Sequence, residues 1–338
     1  MTSFKNTYII GSGNWGTTFA KILAEEHQNI NLFIRDEIDC LSIQKNLINH
    51  KYLPDIKLPS QLNFISKLPY TFDEGDLVIL AIPTNSIRSF LEENIYSFIN
   101  LPNFLNLSKG IEISSQKRIS EILVEFFPKN SNIATLSGPN IASEIALKKP
   151  AVSVIASKSS QFSERLQHFC SNDYFRIYTN EDICGVEIAG ALKNIFAIGS
   201  GICHGLKLGD NAKSALMTRG IMEMTRFGKV FGANNLTFMG LAGFGDLSVT
   251  CMSKMSRNNK LGMFLADGHT LDEALENSKM VTEGVYTCKS VFQIANTKNI
   301  YMPITNAIHK ILFDKHCAHE SIQSLMKSSL KEELCGNI

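Results

Sequence analysis

The chain has 338 residues, 44% of them hydrophobic and 19% charged, which excludes intrinsic disorder as its main state; at about twice the usual single-domain length, two domains are expected. Thirty-three Lys and Arg against 32 Asp and Glu leave a formal charge of +1, so neither nucleic acid nor an anionic membrane is an expected partner, and any anionic ligand must be held at a local site. The eight Cys are scattered with no CxxC pair, which indicates neither a zinc cluster nor a disulfide framework and fits reduced thiols in a cytoplasm.

In chain order, Thr7–Ile10 reads as a short strand running straight into glycines, not as a basic-then-apolar signal peptide, so the protein is expected to stay where it is made. Further strands are predicted at Ile30–Ile34, Leu77–Ile82, Phe104–Leu107, Ile133–Leu136, Val152–Ala156 and Phe175–Tyr178. Amphipathic helical stretches fall between them at Thr17–Glu26, Ser86–Phe98, Gln116–Phe127 and Gln161–Phe169. This alternation predicts an α/β domain with a mostly parallel, doubly wound sheet covered on both faces. From about Gly185 the periodicities are helical, broken at Gly209, Gly240–Gly245, Gly268 and Met302–Pro303, and Thr270-Leu271-Asp272-Glu273 reads as a capping box. The most apolar stretch, Val186 to Ile202, carries Glu187 and Lys193 and is expected to be a buried helix, so no integral membrane segment is predicted. The expected division is residues 1–184 as the α/β domain and 185–338 as an all-α domain.

Gly11-Ser12-Gly13-Asn14-Trp15-Gly16 lies between the first strand and the first helix. In a βαβ unit such glycines allow a tight turn, close backbone approach to a pyrophosphate and close helix packing, while the helix N-terminus offers N–H groups to the anion. The second strand ends in Arg35-Asp36: an acidic residue there serves the ribose of NAD, and an arginine accommodates the 2′-phosphate of NADP. With both present, NAD and NADP stay open, Arg35 tilting the reading toward tolerance of NADP.

Four later segments could carry chemistry. Ser108-Lys109-Gly110 and Ser137-Gly138-Pro139-Asn140 each follow a strand, where open α/β sheets bind ligands, although either taken singly is more often a plain loop. Lys193 sits among small and apolar residues in a helical run; partial desolvation there suits it to donate or accept a proton, and a snorkelling lysine with its ammonium in water fits that segment equally well. Gly240–Gly245 delivers Asp246 from a glycine-rich turn, with Thr250 four residues on, and Ser256-Arg257-Asn258 opens another helix. The Arg257 fork and a helix N-terminus suit a phosphate, the competing reading being an ordinary capped surface helix. None of the eight His falls in these segments, which favours a lysine over a histidine base, and His316, Cys317 and His319 lack the companion carboxylates of a metal site, so no metal is expected.

Taken in order, the motifs closely resemble bacterial-type NAD(P)-dependent glycerol-3-phosphate dehydrogenase: GSGNWGTTFA at 11–20, LSKG at 107–110, LSGPNIASE at 136–144, GVEIAGALKNIFAIGSGI at 185–202, GLKLGDNAKSALMTRGIMEMTRFG at 205–228, FMGLAGFGDLSVTC at 238–251, SRNNKLG at 256–262, VTEGV at 281–285 and MPIT at 302–305. The resemblance implies an N-terminal NAD(P)-binding Rossmann domain, a helical substrate-binding and catalytic C-terminal domain, and reversible reduction of dihydroxyacetone phosphate to sn-glycerol 3-phosphate by NAD(P)H, without a metal, feeding phospholipid synthesis; a homodimer is allowed for.

By matching positions, the resemblance makes Lys193 the general acid/base, Lys109 its electrostatic partner, and Asp246 the group that positions Lys193 or the substrate hydroxyl. It gives Arg257 and Asn258 the substrate phosphate, with Ser256 close by, and makes Gly138, Asn140 and Thr250 further substrate-contacting positions. For the cofactor it implies Gly11, Gly13, Asn14, Trp15, Gly16, Arg35, Lys109, Ala142, Arg257, Val281 and Glu283. Two positions depart from the family pattern, which commonly has Ser at Asn14 and Ser or Thr at Asn140. A β-hydroxy-acid dehydrogenase of similar build, which has no need of Arg257 for a phosphate, and a nicotinamide-sensing regulator with a dead site are the competing readings.

Overall fold

The computed structural model describes residues 3–100, 102–127, 132–253, 255–278, 282–327, 329–330 and 332–333. Two compact units emerge, Met1–Ser108 with Ile119–Ile183, and Lys109–Arg118 with Cys184–Ile338. The second thus takes ten residues out of the middle of the first.

The first unit begins β1 (Thr7–Ile10), α1 (Asn14–Glu26), β2 (Ile30–Phe33), α2 (Glu37–Asn46), a small antiparallel pair β3 (Ile48–Asn49) and β4 (Leu53–Lys57), β5 (Asn63–Ile65) and β6 (Leu77–Leu80). It continues with α3 (Ile87–Glu93), β7 (Asn103–Asn106), α4 (Ile119–Phe126), β8 (Ile133–Ser137), α5 (Ala142–Ala146), β9 (Ala151–Ser157), α6 (Ser160–Cys170) and β10 (Phe175–Asn180). Eight strands form one sheet in the order β10-β9-β8-β7-β6-β1-β2-β5. All neighbours run parallel except β8 and β9, which pair antiparallel with Leu136 opposite Ile155. The central strands are apolar at consecutive positions because both faces are covered. Ile9, Leu77, Ile79 and Leu105 enter one core with Phe19 and Leu166, while Ile10, Val78, Leu80 and Phe104 enter the other with Phe98 and Phe127.

All seven predicted strands are present within two residues of their expected limits. The predicted helix Ser86–Phe98 is α3 followed by a separate short turn of 3-10 helix at Ile95–Phe98. Helix α2 escapes a periodicity argument because only Cys40 and Ile43 are buried while Ile38 and Leu41 lie in water.

The second unit holds α7 (Ile183–Gly205), α8 (Gly209–Val230), α9 (Asp246–Met252), α10 (Arg257–Ala266), α11 (Leu271–Ser278), α12 (Glu283–Thr297), α13 (Pro303–Phe313) and α14 (Ala318–Met326). Helix α7 has the length and hydropathy of a membrane span, yet 94% of its apolar window is buried inside the protein. It packs backbone to backbone on α10: a Cβ on Gly201 would lie 2.0 Å from the Asn259 carbonyl oxygen, and one on Gly262 2.0 Å from that of Ile198. Only glycine at both positions lets the two helices approach this closely.

The predicted capping box forms, with the Thr270 N–H donating to Glu273 at 2.7 Å and the Glu273 N–H to Thr270 Oγ1 at 3.3 Å. The MPIT segment opens α13, whose first amides are met by Glu223 of α8: Ile304 N–H donates to its carboxylate at 2.6 Å and Thr305 Oγ1 at 2.8 Å. Burial pushes that carboxyl up to about 7, against the pull of these donors.

Candidate active site

In the first unit the glycine turn joins β1 to α1. Gly11 has φ +118°, and a Cβ there would lie 2.5 Å from the Ala81 carbonyl oxygen of the segment after β6; one on Gly16 would lie 2.0 Å from the Gly11 carbonyl oxygen. A Cβ on Gly13 would meet nothing within 4 Å, so the outer side of the turn is open. Gly13 caps α1 from an extended backbone without a side-chain hydrogen bond, no acidic residue stands in the first turn, and exposed Asn14 begins the helix. Trp15 Nε1 is buried with no hydrogen-bond partner. A residue missed in the sequence, Asn49 of β3, braces the turn by donating to the Ser12 carbonyl and to Thr17 Oγ1, both at 2.9 Å. Arg35 is exposed beyond β2, and Asp36 caps α2 by accepting from the Asp39 N–H at 2.8 Å.

Also in the first unit, Gly138 follows β8 directly at φ +148°, where a Cβ would lie 2.9 Å from Ser153 Cα of antiparallel β9. Ser153 Oγ donates to Asn140 Oδ1 at 2.6 Å, while Asn140 Nδ2 is buried without a hydrogen-bond partner. Ala142 opens α5 and its carbonyl accepts from Thr18 Oγ1 at 3.4 Å.

The second unit brings Lys109, Lys193, Asp246 and Thr250 together. Asp246, fully buried in the first turn of α9, accepts from Lys193 Nζ on Oδ1 and from Lys109 Nζ on Oδ2, the latter at 2.5 Å. Lys193 Nζ also donates to Thr250 Oγ1 at 2.9 Å, and that hydroxyl donates to the Asp246 carbonyl at 2.6 Å, a bond made possible by their spacing of one helical turn. Lys193 is therefore not the snorkelling lysine that its segment alone allowed; it is 8% exposed and ion-paired. Burial would raise the Asp246 carboxyl, but the two ammoniums hold it below the usual carboxylate range. Burial pushes the Lys109 ammonium down to about 8, with Asp246 opposing and Lys193 adding to the fall. Two ammoniums on one carboxylate make a charged, water-poor cluster.

Around it, Ser256 is spent as the cap of α10, accepting from the Asn259 N–H at 3.2 Å, and exposed Arg257 is the first helical residue. Asn258 is engaged at both ends of its amide: Nδ2 donates to Asn194 Oδ1 at 2.9 Å and Oδ1 accepts from the Gly284 N–H at 3.2 Å, which ties α10 to α7 and α12. Glu283 begins α12, and Val281 lies outside the described residues. The sequence carried no signal for Asn194 as the partner of Asn258, 64 positions away. Among the described residues no three His, Cys, Asp or Glu side chains are grouped to hold a metal ion.

A glycine turn between strand and helix in an α/β unit, beside a helical unit that carries a buried cluster of charged side chains, is the build of a Rossmann-type dehydrogenase. The family model of the NAD-dependent glycerol-3-phosphate dehydrogenase N-terminus matches residues 6–163, and that of the C-terminus residues 182–323. The chain is 40% identical over 327 residues to "Glycerol-3-phosphate dehydrogenase [NAD(P)+]" of Staphylococcus haemolyticus, covering 96% of this chain and 98% of that protein. It is 42% identical over 335 residues to the protein of that name from Latilactobacillus sakei, covering 97% and 98%. Among solved structures, glycerol-3-phosphate dehydrogenase from Coxiella burnetii superposes with a TM-score of 0.91 at 32% identity, covering 97% of this chain and all of that one. The chain belongs to the NAD-dependent glycerol-3-phosphate dehydrogenase family, and as a member it is an NAD(P)-dependent oxidoreductase.

Proposed function

We propose that the protein catalyses the reversible reduction of dihydroxyacetone phosphate to sn-glycerol 3-phosphate with NAD(P)H, Lys193 serving as general acid/base. The observation that carries this reading is the convergence of Lys193 and Lys109 on the buried Asp246, in a chain whose relatives bear that activity in their names. The first unit fits the cofactor: the open side of Gly13, the helix end that no side chain caps and the unpartnered Trp15 Nε1 suit a pyrophosphate and its neighbours. Gly11, Gly13, Asn14, Trp15, Gly16 and Arg35 would hold it there. Bound, it supplies the hydride that the carbonyl carbon accepts.

The rest is done by this chain's own side chains. Lys193 gives its proton to the oxygen that becomes the hydroxyl, and in reverse takes it back. Asp246 and Thr250 hold the Lys193 Nζ in one place, so its loss of a proton requires no search for geometry. The Lys109 ammonium stabilises negative charge on that oxygen before the proton arrives. Arg257, at the start of α10, binds the phosphate dianion as a fork, with helix N–H groups beside it. Asn258 acts by fixing the start of α10, since its amide is already engaged. The product would enter phospholipid synthesis in the cytoplasm.

The test is oxidation of NADH and of NADPH by the purified protein with dihydroxyacetone phosphate, unphosphorylated dihydroxyacetone and a β-keto acid. Turnover is expected with the phosphorylated ketone. No loss of reduced nicotinamide with it, using either cofactor, would end this reading.

A further inference from the structure

Lys109 reaches Asp246 from a ten-residue segment that belongs to the second unit although its neighbours in sequence on both sides belong to the first. Such an excursion needs anchoring, and an ion pair and a buried hydrogen bond are among the contacts that supply it. Arg118, the last residue of the segment, donates to Glu187 on α7 at 2.8 Å, with the two side chains 14% and 3% exposed. The Ile111 carbonyl, two residues after Lys109, accepts from Ser290 Oγ of α12 at 3.2 Å, a buried bond in which the hydroxyl is shared with the Tyr286 carbonyl of its own helix, also at 3.2 Å. Between the anchors the segment is closed on itself: the Glu112 N–H donates to the Lys117 carbonyl at 3.0 Å and the Gln116 N–H to the Glu112 carbonyl at 2.9 Å. Glu187 stands six residues before Lys193 on the same helix, about 9 Å along its axis.

We infer that the Arg118–Glu187 ion pair, together with Ser290, is a positioning brace that presents the Lys109 ammonium to the reacting oxygen. The inference rests on the proposed reaction. Arg118, Glu187 and Ser290 act by fixing the backbone that carries Lys109. Lys193 needs no such brace, since it projects from the body of a buried helix, whereas Lys109 projects from a loop and is as well placed as its anchors.

The experiment is a double-mutant cycle on the full-length protein. Glu187→Gln and Ser290→Ala are each made alone and in a Lys109→Met background, and kcat and KM are measured with dihydroxyacetone phosphate. A displacement of Lys109 by about 1 Å can lower kcat/KM by about 100-fold, so each single change is expected to cost between about tenfold and about 100-fold, mainly in kcat. Cofactor affinity, followed through the fluorescence of the single tryptophan, Trp15 of the first unit, should stay unchanged. In the Lys109→Met background the further loss should shrink to about twofold or less, because the brace has nothing left to position. A merely structural pair would give the same loss in both backgrounds. Ser290→Ala leaves both charges in place and serves as the second arm should Glu187→Gln fold poorly. Wild-type protein inactive toward dihydroxyacetone phosphate would remove the proposed function and this inference with it. Active wild type with undiminished losses in the Lys109→Met background, or with no loss from either substitution, overturns the brace alone.

Discussion

The glycine turn of the first unit and the lysine cluster of the second, to which the proposed function gives the two negatively charged ligands, offer positive potential by different means. The turn has an open face at Gly13 and a helix end that no side chain caps, so its attraction comes from backbone dipoles that do not titrate. The cluster has three charged side chains locked on one another, with Thr250 completing the set, so its attraction comes from groups whose charge depends on pH and on their neighbours. The turn should therefore be sensitive to added volume and indifferent to pH, and the cluster sensitive to charge.

Lys193→Met attacks the cluster at its proposed proton donor and should lower kcat by about 100- to 10,000-fold, while the fluorescence titration of Trp15 with NADH shows cofactor binding intact. Near-normal turnover would return Lys193 to a structural role. Next in size is Arg257→Ala. Removing the partner of a charged ligand costs about 2–5 kcal/mol, so kcat/KM for dihydroxyacetone phosphate should fall by about 30- to several-thousand-fold. Unphosphorylated dihydroxyacetone should lose far less; if the ratio of the two substrates stays constant, the phosphate is held elsewhere.

Gly11→Ala tests the volume side of the comparison. Its Cβ would meet the Ala81 carbonyl at 2.5 Å on a backbone of φ +118°, and a stability loss of about 1–3 kcal/mol with weakened cofactor binding is expected. An unchanged denaturation midpoint would show that the turn has room to shift.

The pH side is sharper. Lys109, pushed down to about 8, loses its charge as pH rises past that value, so kcat/KM should decline above about 8 by up to about tenfold per pH unit. Stability should move the other way. Between about 8 and the ordinary lysine value the unfolded chain binds a proton that the folded chain does not, so this group's contribution to stability rises with pH. Lys109→Met should flatten both trends; an alkaline decline that survives in this variant belongs to another group. The smallest effect is expected at exposed Arg35. Because Asp36 is spent capping α2, Arg35→Ala should weaken NADPH use by a few-fold more than NADH use, and equal losses would make Arg35 indifferent to the 2′-phosphate.

What could be read along the chain was local. Most of the seven strands announce themselves because their apolar runs are buried on both faces, and edge strand β10 by its alternation of buried Phe175 and Ile177 with exposed Arg176 and Tyr178, while the glycine turn is legible because its glycines fall within six residues. The Thr270 capping box spans four residues and was equally legible. Three-residue β5 and the α2 helix, whose Ile38 and Leu41 stand in water, left no periodic pattern to find. Tertiary structure alone decided the rest. The antiparallel course of β9 depends on how the chain crosses from β8, and strand sequence does not encode direction. The assignment of Lys109 to the second unit, the sharing of Asp246 by lysines 137 and 53 positions away, and the Arg118–Glu187 pair 69 positions apart are contacts between distant segments. Residue type says that a lysine or a carboxylate needs a partner when buried. Which partner it finds is settled by the packing that buries it.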